Sequence, residues 1–161
     1  MATQFVSNGS GLISVKDYTE DRIIELALNL CQMKFKRGEV LSSPAMVIDH
    51  LRLLCNKDHE VFSVIFLDNR HRIIKYEEMF RGTIDGASVY PREVVKEALN
   101  CGAAAVIYVH NHPSGVVTPS EADKRITQKL KDALALVDVR SLDHCIVSAT
   151  DSYSFAEHGL I

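Results

Sequence analysis

The chain has 161 residues, of which 47% are hydrophobic and 24% charged, with only four prolines and a formal net charge of −3. That length and composition describe one compact domain able to bury an ordinary core, and exclude a disordered or fibrous chain. The acidic balance leaves no basic footprint, so bulk electrostatic attraction to nucleic acid is not implied.

Cys31, Cys55, Cys101 and Cys145 are spread singly and form no CxxC pair. They read as buried free thiols in a reducing cytosol, not as a disulfide framework or a cysteine-rich zinc site. The start MATQFVSNGSG lacks the basic-then-apolar layout of a signal peptide, and no apolar run approaches bilayer length. The expectation is a soluble cytoplasmic protein without a membrane partner.

Residues 1–17 contain Ser and Gly and read as an irregular, flexible arm. From Glu20 to Phe35, Ile23, Ile24, Leu26, Ala27, Leu30 and Cys31 recur at helical spacing. A second helix is announced by Ser43 and Pro44, a cap and a first-turn proline, and carried on by Val47, Ile48, Leu51 and Leu54. Neither helix hides its apolar stripe alone, so residues 18–56 are expected to cover a domain formed by residues 57–161. There, VFSVIFL (61–67) predicts a strand, Asp68 to His71 a turn, and 72–80 the returning strand of a hairpin. Pro91 opens a helix bearing Val94, Val95, Ala98 and Leu99 that closes near Gly102. AAAVIYV (103–109) is the uninterrupted apolar run of a buried central strand. After a loop marked by Pro113, Gly115 and Pro119, Ser120 begins a long helix with Ile126, Leu130, Leu134 and Val137 on one face. Leu142 to Val147 and Tyr153 to Phe155 read as closing strands. The order predicts an α/β fold, a mixed sheet with helices on its faces. Its open edge leaves room for a homodimer.

His110 and His112 bracket Asn111 where the central strand ends. Alternate residues of extended chain point to one side, so both imidazoles can face one point. Asp123, in the first turn of the next helix, is placed to add an oxygen ligand. Three protein ligands plus water is the composition of a catalytic zinc site, whereas a structural site is closed by a fourth protein ligand. The bland alternative is that HxH is a chance pair and that Ser120-Glu-Ala-Asp123 is a capping box. Asp123 cannot easily serve both cap and metal, so one of the two readings is expected to yield.

His110-x-His112, seven residues, then Ser120-x-x-Asp123 resembles the zinc signature of the MPN-type (JAMM) metallopeptidases. The wording His110-Asn-His-Pro-Ser-Gly115 with Pro119-Ser120 and Asp123 is similar to the RadC family, linked by name to DNA repair. The likeness runs from Glu60 to the end and takes in Phe80-Arg-Gly-Thr83, Pro91-Arg-Glu93, Ala103 to Ala105, Leu142-Asp-His144 and Ser154 to Leu160. The short length resembles the prophage-associated RadC-like proteins. The hairpin glycines of the helix-hairpin-helix region that precedes this domain in longer members are absent from residues 1–55, which weakens an expectation of DNA binding.

The resemblance implies an MPN-type α/β sandwich, similar in layout to cytidine deaminases, with zinc held by His110, His112 and Asp123. It implies that Ser120 helps hold the oxygen of a tetrahedral intermediate and that an upstream glutamate, best matched by Glu60, is the general acid/base. Glu77, Glu78 and Glu93 are its rivals. His59 and His71 read as surface residues, and His144 as core or as a neighbour of the site and not a ligand. Arg92 is read as a carboxylate anchor or a helix-packing residue. The implied activity is zinc-dependent hydrolysis of peptide or isopeptide bonds in a peptide or protein substrate. The alternatives are a zinc-binding DNA-repair accessory or scaffold without activity, and a DNA-processing hydrolase, the latter disfavoured by the lack of a second carboxylate cluster. A deaminase is disfavoured further by the missing P-C-x-x-C.

Overall fold

A computed structural model describes residues 59–82 and 88–161, together with 5–7, 12–14, 19, 22, 37, 38, 40 and 51. The two helices expected over 20–35 and 43–54 lie almost wholly outside the described residues. Of them only Arg22 and Leu51 are described, both in helical conformation.

The domain is built on a five-stranded mixed sheet. Two short strands come first, β1 (Phe5–Ser7) and β2 (Leu12–Ser14), paired antiparallel apart from the main sheet. They lie within residues 1–17, which the sequence reading takes as an irregular arm. The Asn8-Gly9 step between two β-prone triplets is a hairpin signal that the Ser/Gly content obscured.

The main sheet comprises β3 (Val61–Leu67), β4 (Ile73–Arg81), β5 (Ala105–Asn111), β6 (Arg140–Val147) and β7 (Ser152–Ser154), in the order β4-β3-β5-β6-β7. Only the β5–β6 pair is parallel. Parallel pairing needs a crossover, and the helix α2 (Glu121–Ala135) supplies it. A first helix, α1 (Pro91–Cys101), joins β4 to β5 through Pro91 at its start. Gly102 ends α1 at φ +69°, a left-handed conformation that costs glycine nothing.

Every residue of β3 and of β5 is buried, as continuous apolar runs at the centre of a sheet require. Alternation sorts them into two layers. Phe62, Val64, Phe66, Val106 and Tyr108 pack with Val94 and Ala98 of α1 and Leu130 and Leu134 of α2. Ile65, Leu67, Ala105, Ile107, Val109, Cys145 and Val147 form the other layer, where Leu51 is fully buried. At about 1.5–3 kcal/mol for each large apolar side chain taken from water, these layers fix the sheet and hence the spacing of everything at its ends.

The strand β5 runs two residues past the apolar stretch that announced it, taking in His110 and Asn111, which pair with Phe62 of β3 and Val147 of β6. The chain therefore carries two buried polar residues to the end of the strand, His110 in phase with the helix-covered layer and Asn111 with the other. Cys101 and Cys145 are free thiols, the first half-buried and the second buried. Cys31 and Cys55 lie outside the described residues.

Candidate metal centre

The even-numbered residues of β5 face α1 and α2, so the alternation that buries Val106 and Tyr108 aims His110 at the start of α2. His112 follows in the same phase just beyond the strand. Its Nδ1 donates to the Val116 carbonyl at 2.6 Å, which leaves Nε2 of the neutral ring as a bare lone pair. That Nε2 stands 2.9 Å from His110 Nε2.

Asp123 enters from the first turn of α2. Its Oδ1 lies 3.3 Å from His110 Nε2 and its Oδ2 lies 3.7 Å from His112 Nε2. The sequence alone set the capping box against the metal for this residue, and the geometry removes that conflict. Oδ2 accepts the Ser120 N–H at 2.7 Å and the Ser120 hydroxyl at 2.6 Å, while Oδ1 turns to His110. Ser120 Oγ in turn accepts the Asp123 N–H at 3.1 Å, completing the box. A carboxylate has two oxygens and about four acceptor sites, enough for both tasks.

Burial works against ionisation of Asp123, but His110 and the Ser120 hydrogen bonds outweigh it and hold the carboxyl well below its usual range. Complete burial, with His110 alongside, drives His144 well below the usual imidazole range.

Glu60, the residue before β3, completes the group. Its Oε1 is 3.8 Å from His110 Nε2. One ligand atom each from Glu60, His110, His112 and Asp123 lie within 4.8 Å of one another. The rival glutamates sit elsewhere. Glu77 pairs with Lys75, Glu78 with Arg81, and Glu93 with Lys96 in the first turn of α1. Arg92 lies over the Tyr90 ring, away from the centre.

The donor set fits zinc. Zinc bonds to imidazole nitrogen and carboxylate oxygen at about 2.0–2.2 Å in a tetrahedron, which puts neighbouring ligand atoms about 3.3 Å apart. With Oδ1 as the Asp123 ligand atom, the His110–His112 and His110–Asp123 separations, 2.9 and 3.3 Å, lie close to that value. Two imidazoles and a carboxylate are also ligands of the borderline character this ion takes.

Three residues besides the four of the group shape the centre. Asn111, between the two histidines, bonds to the main chain on both sides of Glu60. His144 of β6 is fully buried and holds His110 Nδ1 at 2.8 Å, and Thr127 of α2 holds His144 Nδ1 at 2.6 Å. The only sequence signal for Thr127 is its spacing of one helical turn from Asp123.

The structure is thus a mixed α/β domain whose central strand carries at its mouth a carboxylate–imidazole group that could hold a metal ion. Residues 41–160 match the RadC-like JAB domain, and the chain belongs to that family. It is 54% identical to a UPF0758 protein of Vibrio cholerae over 149 residues, 92% of this chain and 93% of the relative. A UPF0758 protein of Cellvibrio japonicus is 53% identical over 152 residues, 94% of this chain and 68% of the relative. A third, from Nitrosomonas eutropha, is 56% identical over 140 residues, 86% of this chain and 62% of the relative. Against the last two the match spans about two thirds of the relative's length. Among the described residues, no helix is long and apolar enough to cross a membrane.

Proposed function

We propose that this chain is a zinc-dependent hydrolase of amide bonds in peptide or protein substrates, with His110, His112 and Asp123 holding the ion. The observation that carries the proposal is the convergence of two imidazole nitrogens and a carboxylate at metal-ligand spacing, with a further carboxylate, Glu60, beside them. Family membership supports the same reading. The free thiols Cys101 and Cys145 support a reducing, cytoplasmic setting.

Zinc held there supplies Lewis acidity, drawing the pKa of a water toward neutrality and polarising a carbonyl oxygen. The protein's own part is proton handling and orientation. Glu60 Oε1 is placed to take a proton from the attacking water and return it to the leaving amine, a role worth about 10²–10⁴-fold. Asp123 and the two histidines are held in place by their outer hydrogen bonds, which limits the reorganisation the reaction requires. Ser120 Oγ–H can turn to the developing oxygen only by leaving Asp123 Oδ2, which keeps the Ser120 N–H as its restraint.

The test is metal content and peptidase turnover of the wild type beside two variants. Near-stoichiometric zinc in the wild type, its loss in Asp123→Ala, and its retention with turnover abolished in Glu60→Gln are the expected results. Absence of zinc from a wild type purified without chelators and supplied with zinc would sink the proposal. Zinc without turnover on any peptide or isopeptide would replace it with an accessory role.

A further inference from the structure

Behind His110, three hydrogen bonds lead back to the aspartate that its Nε2 faces. Thr127 Oγ1 donates to the Asp123 carbonyl oxygen at 2.6 Å. A hydroxyl has one proton, so toward His144 Nδ1, at 2.6 Å, Thr127 Oγ1 is the acceptor and Nδ1 carries the hydrogen. With that hydrogen on Nδ1, the tautomer of the fully buried His144 leaves Nε2 as the lone pair facing His110. That Nε2 accepts from His110 Nδ1 at 2.8 Å. A neutral His110 with its proton on Nδ1 presents the lone pair of Nε2 to Asp123 and His112.

We propose that Thr127 and His144 are positioning residues that lock His110 in its Nδ1–H form and aim its Nε2 lone pair at the centre. The proposal rests on reading the centre as a divalent-metal site. His112 is locked in the same sense by the Val116 carbonyl, so two lone pairs face each other at 2.9 Å. Two such lone pairs repel unless a cation stands between them, and the fold therefore sets the polarity of the centre before any ion arrives.

The relay also differs from the usual arrangement, in which a ligating histidine donates to a carboxylate, a main-chain carbonyl or a water. Here the acceptor is a neutral imidazole, and the relay ends on the carbonyl of Asp123 itself. No negative charge is added behind His110. Because the relay begins on the main chain of one ligand and ends on the ring of another, Thr127 couples the positions of both. The ring of His144 is itself held between Phe62, edge-on with centroids 5.4 Å apart, and Phe155, stacked at 4.8 Å. Asp143 fixes its backbone, accepting the His144 N–H at 2.7 Å and the Ala156 N–H at 2.9 Å.

The experiment is a long-range proton–nitrogen correlation spectrum of the histidine rings in the full chain, with zinc bound, paired with zinc affinity by chelator competition. The spectrum is expected to show both His144 and His110 protonated at Nδ1. Thr127→Val, which keeps the shape and removes the hydroxyl, is expected to weaken zinc about 10- to 100-fold, and Thr127→Ser to restore it. His144 protonated at Nε2 in the zinc-loaded chain, or a folded Thr127→Val that binds zinc as tightly as wild type, overturns the relay. If Thr127→Val does not fold, the wild-type spectrum decides. A wild type with no zinc affinity overturns the underlying metal reading instead, and is told apart because it is measured on the unaltered chain.

Discussion

Asn111 brackets Glu60. Its Oδ1 accepts the Val61 N–H at 2.8 Å and its Nδ2 donates to the His59 carbonyl at 3.0 Å, so one buried side chain holds the main chain on both sides of the glutamate. The Gly82 N–H to the Glu60 carbonyl, 2.8 Å, closes the third side. Asn111 lies between two residues assigned to the metal, yet points to the opposite face of β5 from them. The strand thus presents both imidazoles on one face and anchors Glu60, the proposed proton carrier, from the other.

Asn111→Leu is therefore expected to keep the metal and lose the chemistry. It removes two buried hydrogen bonds and strands their partners, costing about 2–4 kcal/mol of stability. Zinc stoichiometry should stay near wild type while turnover falls on the order of 10²-fold, as a misplaced carboxylate would cause. Metal analysis beside denaturant unfolding and peptidase kinetics reads all three. Loss of zinc in parallel with turnover would show that Asn111 serves the histidines and not Glu60.

His112→Ala separates binding from stability without needing a substrate. A ligand that binds only the folded state stabilises it by RT ln(1 + [L]/Kd), about 2.7 kcal/mol at a hundredfold excess over Kd. Zinc is expected to raise the melting temperature of the wild type and leave that of His112→Ala unmoved. Glu60→Gln should still respond. A wild-type response to zinc in His112→Ala would move the site elsewhere.

Ser120→Ala tests the double use of the capping box. The Ser120 hydroxyl accepts from the Asp123 N–H and donates to Asp123 Oδ2, so its loss removes an N-cap and frees one side of a metal ligand. Stability should drop by about 0.5–2 kcal/mol. Zinc should bind more weakly than in wild type but more strongly than in Asp123→Ala, because the Ser120 N–H still restrains Oδ2. Equal zinc affinity in Ser120→Ala and wild type would confine Ser120 to helix capping and catalysis.

The legible parts of this molecule are those whose signal is local. Val61–Leu67 is a strand because seven apolar and β-prone residues occur together, and α1 is bounded by Pro91 and Gly102 as written. The pair His110 and His112 shows its geometry in the two-residue period alone. The end of β5 did not show, because a polar His-Asn step stops an apolar run although the backbone ladder continues through Phe62 and Val147. Glu60 was reached by resemblance only, since nothing in Lys57-Asp-His-Glu60 distinguishes a proton carrier from a solvated acid. His144 reads from the sequence as core or a neighbour of the site, but the bonds that it and Asn111 make do not show there, for a plainer reason. His144 lies 34 residues from His110, and Asn111 lies 50 from Val61, so these contacts exist only once the sheet has formed. The conflict imagined at Asp123 arose from counting the carboxylate as one acceptor.

Cys145 gives the domain a limit on its alkaline side. It is buried in β6, and burial together with Asp143, whose Oδ2 accepts from the thiol at 3.5 Å, pushes its pKa far above that of a free cysteine. The folded chain thus keeps the proton while the unfolded chain releases it. A group whose pKa is raised by folding contributes stability that is fully present below the unfolded value and lost as pH rises through the folded one. From about pH 8.5 upward, the unfolding free energy should therefore fall by as much as about 1.4 kcal/mol per pH unit on account of this thiol. Cys145→Ala leaves a small cavity and lowers stability at neutral pH, but it should flatten the slope between pH 9 and 11. Urea unfolding at four or five pH values checks both effects. Equal slopes in the two proteins would mean that the thiolate is accommodated in the fold, against the low-dielectric setting that Val109, Val147 and the neighbouring apolar layer give it.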